Sequence, residues 1–121
     1  MSLSHGDRPL YEVKANLFKG LAHPFRIRIL ELLAELPERS VADLQGQTGL
    51  EASHLSQHLS VLRRHRLVVS ERRGSHVYYS LSDPAVADLL ASARAFLLGV
   101  LAADAEMLRG AQSLPAIGAV S

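Results

Sequence analysis

Ser53, Gln57, Ser60 and Arg64 recur at spacings of four and three within Ala52-Ser-His-Leu-Ser-Gln-His-Leu-Ser-Val-Leu-Arg-Arg-His65. On a helix they share one side, and Leu55, Leu59 and Leu62 share the opposite one. The polar side carries hydroxyls, an amide and a guanidinium, and no acid. These are the groups that reach base edges and phosphates. Gln57 can pair bidentately with adenine, which makes it the leading candidate for reading sequence. Ser56 and Arg63 flank this side and suit phosphates. A second basic point follows in Glu71-Arg-Arg-Gly-Ser-His76, where Arg72, Arg73 and His76 are placed to touch a flanking minor groove or the backbone. The chemistry expected is non-covalent: a helix that enters a DNA groove, held there by the rest of the chain. The plain alternatives are a solvated basic helix face and a solvated loop tip.

Charge supports the first reading. Residues 52–76 hold five arginines against one glutamate, a local charge of +4, which leaves −3 for the remainder of a chain with net charge +1. Segregation of this kind points to a polyanionic partner at one place. Four of the six histidines fall in the same window. His54, His58 and His65 form a side stripe of the helix. The spacing of four would let His54 and His58 share a zinc ion, but no glutamate follows His54, so the hydrolase HExxH pattern is missing. No Ser/His/Asp constellation, phosphate loop or pair of carboxylates in a plausible cleft is visible, so the chain is expected not to be an enzyme. A protein-interaction module that dimerises or holds a partner without reading DNA is the alternative.

The elements that must position this helix follow from periodicity. Leu10, Val13, Leu17 and Leu21 repeat at three and four, giving a first helix over about 10–22. Pro24 opens a second helix, apolar around more than half its circumference, which Pro37 ends. Ser40-Val-Ala-Asp43 has the form of a capping box and starts a short third helix, to about residue 47. Gly49 suits the tight turn before the fourth. Short helix, glycine turn and striped helix make a helix-turn-helix. Residues 67–73 and 76–81 then alternate in polarity around Gly74-Ser75, a two-residue hairpin turn. Asp83-Pro84 starts a last helix as N-cap and first position, expected to run to about residue 109 and end at Gly110. Its apolar face comprises Leu89, Leu90, Ala93, Leu97, Val100, Leu101 and Leu108.

The fold expected is mostly α with a β-hairpin wing, in the order α-α-α-α-β-β-α, over residues 10–110. Residues 1–9 and 111–121 are expected to be loose tails. The length of 121 residues allows one small core that would gain from oligomerisation. The first and last helices have more apolar surface than one domain covers, so a homodimer through Leu10, Val13, Leu17, Leu90, Leu97 and Leu101 is expected. With no cysteine there is no disulfide and no thiolate metal site. No apolar run is expected to be long enough to span a membrane, and the N-terminus lacks the pattern of a signal peptide. The expected location is the cytoplasm.

Leu21-Ala-His-Pro-Phe-Arg-Ile-Arg-Ile-Leu-Glu-Leu-Leu33 resembles the second-helix signature of the ArsR/SmtB family of bacterial repressors. Ser53-His-Leu-Ser-Gln-His-Leu-Ser-Val-Leu-Arg63, followed by Leu67-Val68, resembles that family's recognition helix, and Arg73-Gly74 with Tyr78-Tyr79-Ser80-Leu81 resembles its wing. The resemblance covers roughly residues 10–108. It implies a winged helix-turn-helix homodimer that binds operator DNA and releases it when an effector binds. His58 matches a histidine common in the motif, which implies a structural or DNA-backbone role; His54 joins the expected DNA-contact set. The departures are informative. Family members that hold metal through cysteines at the start of the third helix have them where Ser40 and Ala42 stand. Others use Asp, two His and Glu along the last helix, where this chain has Asp83, Ala85, Phe96 and Gly99. Neither metal site is carried over, and no cofactor is expected. His5, His23, His65, Asp88, Asp104 and Glu106 are the residues left for a non-standard metal site. The family also has glycine where Arg66 stands, so this arginine is expected at positive φ.

Overall fold

The computed structural model describes residues 8–113. The expected tails lie outside the described residues except at 8–9 and 111–113, and so does His5. The elements run α1 (Leu10–Leu21), α2 (Pro24–Glu35), β1 (Arg39–Ser40), α3 (Val41–Thr48), α4 (Ala52–Arg64), β2 (Val68–Arg73), β3 (His76–Leu81) and α5 (Pro84–Ser113). The chain forms two compact units, one ending at Ala87 and one beginning at Asp88.

The core of the first unit is aliphatic. Ile29, Leu30, Leu32 and Leu33 of α2 meet Leu44 of α3, Leu55, Leu59 and Leu62 of α4, and Leu67 and Val68 at the start of β2, all buried. Each such side chain stabilises the fold by about 1.5–3 kcal/mol. Three caps set the helix starts. His23 Nδ1 accepts from Phe25 N (3.1 Å) at the head of α2, with Pro24 in the first turn. Ser40 Oγ accepts from Asp43 N (3.0 Å) at the head of α3. Asp83 Oδ1 accepts from Ala85 N (2.8 Å) at the head of α5. Each satisfies an N–H that helix geometry leaves without a partner.

The hairpin of β2 and β3 has the expected two-residue turn: Arg73 pairs with His76 across Gly74-Ser75, and Gly74 has φ 61°. A third strand was not expected. The two residues of β1 pair with Tyr78 and Tyr79, giving an antiparallel sheet in the order β1-β3-β2. Its anchor is Arg39, a buried arginine. Nε donates to Leu32 O (2.7 Å), Nη1 reaches Asp43 (2.6 Å) and Nη2 reaches Glu35 (2.9 Å). One side chain thus ties the end of α2 to the start of α3, and its charge is fully partnered, as burial requires.

Two expectations about the last helix are corrected. It does not end at Gly110 but continues to Ser113, whose Oγ donates to Gly110 O (2.7 Å). Glycine ends a helix when it takes a left-handed conformation, and Gly110 is not among the residues with positive φ. The helix is also, by length and composition, long and apolar enough to cross a membrane. The uncharged run Ala95–Ala103, preceded on the other side of Arg94 by Val86, Leu89 and Leu90, produces this property.

Candidate nucleic-acid interface

The turn into α4 is built from backbone and one hydroxyl. Gly49 sits in the left-handed region (φ 71°) and donates to Gln45 O (2.9 Å). Thr48 Oγ1 donates to Leu44 O (2.8 Å) and accepts from Leu50 N (3.3 Å). Leu55, Leu59 and Leu62 then pin the inner face of α4 to the core. The consequence is geometric. With three leucines fixed inside, Ser53, Ser56, Gln57, Ser60 and Arg64 are all exposed on the other side, with His54 and Arg63 beside them. No acidic residue interrupts this surface between Ala52 and His65.

The C-terminus of α4 carries the expected strained arginine. Arg66 has φ 61° and is the one non-glycine residue at positive φ among those described. Leu67 N donates to Leu62 O (2.9 Å) and Arg66 N to Arg63 O (3.0 Å). This is the paired 6→1 and 5→2 pattern that ends helices through a left-handed residue. Burial of Leu67 directly after the turn outweighs the cost of the arginine's backbone, about 1–2 kcal/mol.

The histidines separate into different environments. His58 is half-buried, with its ring 4.4 Å from that of His23 and 6.1 Å from that of Phe25. Burial, then His23, Arg26 and His54, hold its pKa below the usual histidine value. It faces α2, unlike the exposed His54. His65 lies over Gly20 of α1, where a Cβ would meet the ring at 2.6 Å. Among the described residues, no three His, Asp or Glu side chains come together as a group that could hold a metal ion. Ser40 and Asp83 are engaged as helix caps.

In the wing, Arg72, Arg73 and His76 are exposed, but the two arginines differ. Adjacent strand residues point to opposite faces. Arg73 Nη2 pairs with Glu38, which precedes β1, and with Glu71 (3.4 Å), and its guanidinium lies 4.3 Å over the Tyr78 ring. The bond to Glu38, ahead of every other influence, raises its already high pKa. Arg72 has no ion-pair partner among the described residues. The sequence reading missed Glu38, Arg39, His23 and Arg26 as positioning residues. A cap signal at His23-Pro24 was visible. The Glu38–Arg73 pair spans 35 residues and left no local trace.

Comparison with known proteins agrees with this geometry. The family description "Bacterial regulatory protein, arsR family" matches residues 23–70, from the cap of α2 into β2. The HTH-type transcriptional regulator Rv0081 of Mycobacterium tuberculosis (strain H37Rv) is 54% identical over 96 residues, which cover 78% of this chain and 83% of that one. YgaV, an HTH-type transcriptional regulator of Escherichia coli K12, is 38% identical over 81 residues, 67% of this chain and 82% of that one. The crystal structure of M. tuberculosis Rv0081 superposes with a TM-score of 0.75 at 51% identity, covering 82% of this chain and 99% of that one. The solution structure of a homodimeric winged helix-turn-helix DNA-binding domain, Mb0332 of Mycobacterium bovis, gives 0.64 at 32% identity, covering 86% and 91%. The fold is the winged helix-turn-helix, the family is one of transcriptional regulators and not of enzymes, and the chain belongs to the arsR family of bacterial regulatory proteins.

Proposed function

We propose that the protein is a dimeric transcriptional repressor that binds a palindromic operator in the cytoplasm, with α4 in the major groove. The observation that carries this reading is the acid-free exposed face of α4, opposite Leu55, Leu59 and Leu62. Gln57 reads a base edge, with Ser53 and Ser60 beside it. Ser56, His54, Arg63 and Arg64 hold phosphates. Arg72 and His76 touch the backbone or minor groove from the wing. Arg73 has the different task of holding the wing, through Glu38, against the segment before β1. His58 acts by packing α4 on α2 rather than by reaching DNA.

Two copies are needed because one recognition helix reads only a few base pairs, whereas two held about 34 Å apart read a palindrome. Leu10, Val13 and Leu17 of α1, with Leu90, Leu97 and Leu101 of α5, supply the pairing surface. Leu10, Leu97 and Leu101 are more than half exposed in the single chain, as an unpaired interface would be. The apolar residues of α5 follow spacings of three and four, the pattern of a helix that pairs with a helix. Release does not use the family's cysteine or last-helix metal sites: Ser40 and Ala42 stand at the cysteine positions, Ala85, Phe96 and Gly99 replace three of the four last-helix ligands, and Asp83 caps α5.

The test is a mobility shift with duplex from the protein's own promoter. Affinity is expected to fall by about 10³-fold or more between about 50 and about 200 mM salt, as several phosphate contacts require. Gln57→Ala shifts sequence preference, with about 1–3 kcal/mol lost at the base it reads. Arg72→Ala weakens all duplexes alike. A complete lack of salt-sensitive binding to any such duplex refutes the reading.

A further inference from the structure

A cleft of about 530 Å³ opens where α4 hands over to β2, lined by Arg63, Arg66, Val68, Val69, Ser70 and Ser82. Its apolar surface comes from Val69, which is half exposed; Val68, beside it, is turned into the core. Its walls are cationic. Neither Arg63 nor Arg66 has an ion-pair partner among the described residues, and no carboxylate lines the cleft. The only side-chain bond of Arg63 there is a 3.3 Å contact from Nη1 to Ser70 Oγ, which leaves its other donors free. Ser82 Oγ donates to Arg66 O (2.7 Å) and so fixes the backbone of the strained residue against the segment that leads into α5.

Any residue with positive φ would satisfy the turn, and glycine would do so without strain. An arginine instead occupies this position, on the lining of an open cleft. Strain kept at a polar, solvent-accessible place is a mark of a functional site. Two guanidinium groups offer paired N–H donors that match the two oxygens of a carboxylate. Val69 offers contact to a hydrocarbon body, and the volume has room for a small molecule.

We infer that this cleft is a binding site for a small organic carboxylate with an apolar body, held by Arg63 and Arg66. The site joins the recognition helix to the wing strand. An anion there neutralises Arg63 and biases the angle between α4 and β2, so it lowers operator affinity. That last consequence rests on the operator-binding reading; the binding itself does not.

Benzoate is the probe, with benzamide as its uncharged counterpart, added to the full chain at constant ionic strength. Amide NMR is expected to show saturable shifts at residues 66–70 and 82 with benzoate and none with benzamide. Arg66→Gly keeps the turn, so it folds at least as stably as the parent, and it loses benzoate affinity by about tenfold or more. Arg66→Lys restores part of it. Saturating benzoate lowers operator affinity about fivefold or more in the parent and not in Arg66→Gly. Benzoate binding in a protein that binds no duplex leaves the site standing and removes only the operator reading. No saturable shift by about 10 mM benzoate, equal shifts with benzamide, or undiminished binding in Arg66→Gly overturns the proposal. So does an Arg66→Gly variant that loses operator affinity in benzoate-free buffer while benzoate leaves the parent's amides unmoved.

Discussion

His58 lies on the helix proposed to read DNA, yet its ring packs inward, and this has a cost that depends on pH. His23 accepts a hydrogen bond from Phe25 N through Nδ1 (3.1 Å), which fixes its ring at the head of α2. The His58 ring lies 4.4 Å away, with Arg26 and His54 also near and no carboxylate among the groups that act on it. Every influence on His58 disfavours the imidazolium, burial first. A base whose pKa is lowered on folding binds fewer protons in the native state than in the unfolded state. Stability is therefore full above the unfolded value of about 6.5 and falls as pH drops through it toward the lower folded value. The midpoint of urea unfolding is expected to be lower at about pH 5 than at about pH 7.5, and His58→Asn should flatten part of this slope. A slope unchanged in His58→Asn would assign the pH dependence to other groups.

At the scale of elements, the position of α4 is set from three directions: leucines beneath it, α2 through the His23–His58 contact, and α1 through Gly20. Arg26 fastens the last of these, with Nε donating to Gly20 O (2.7 Å) and Nη2 to Lys19 O (3.3 Å), which ties α2 to the end of α1. Gly20 is there because His65, the C-cap of α4, occupies the space a Cβ would need. Gly20→Ala is expected to destabilise by about 1–3 kcal/mol, the usual cost of overpacking. His65→Ala in the same chain should restore part of the loss, because the ring atoms go but the His65 Cβ, 2.9 Å from the added methyl, stays. Thermal unfolding of the single and double variants checks this; additive losses would mean that the two residues are not in conflict. Contacts of this kind explain what periodicity could and could not reveal. The four helices of the first unit and the hairpin register were legible, since leucine spacing and Gly74-Ser75 act locally, whereas the left-handed turn at Arg66 was expected only from the glycine that the family resemblance places there. The strand β1 has two residues, too few to alternate, and exists because Tyr78 and Tyr79 offer it an edge. Arg39 looks like any surface arginine until the fold closes over it. On the interface itself, the exposed face of α4 followed from its leucines. The diversion of Arg73 to Glu38 depended on a contact that the chain makes only once folded.

For the whole molecule, the decisive question is what covers α5. Phe96 is 71% exposed and Met107 75%, and both extend the apolar face beyond the leucines first singled out. On a helix, Leu90, Leu97, Leu101 and Leu108 form one stripe, and Arg94 and Asp104 fall in it. The residues three and four places either side of Asp104 are Val100, Leu101, Met107 and Leu108. Where a second copy sets its leucines rather than its Arg94 against that carboxylate, the group is dehydrated or splayed outward, and either outcome weakens pairing. Asp104→Leu removes that cost and adds about 1.5–3 kcal/mol of buried hydrocarbon per copy, so the dimer is expected to tighten by about tenfold or more. Leu101→Asp adds a second charge next to the first and should give monomers. Sedimentation equilibrium over a range of concentrations measures both. A dimer that ignores Asp104→Leu and also survives Leu101→Asp would mean that this stripe faces something other than a second copy. The operator would then have to be read by a pair joined elsewhere. The tightened dimer has a functional counterpart: at concentrations where the parent is partly monomeric, Asp104→Leu should bind operator with the greater apparent affinity, since only the pair presents two copies of α4.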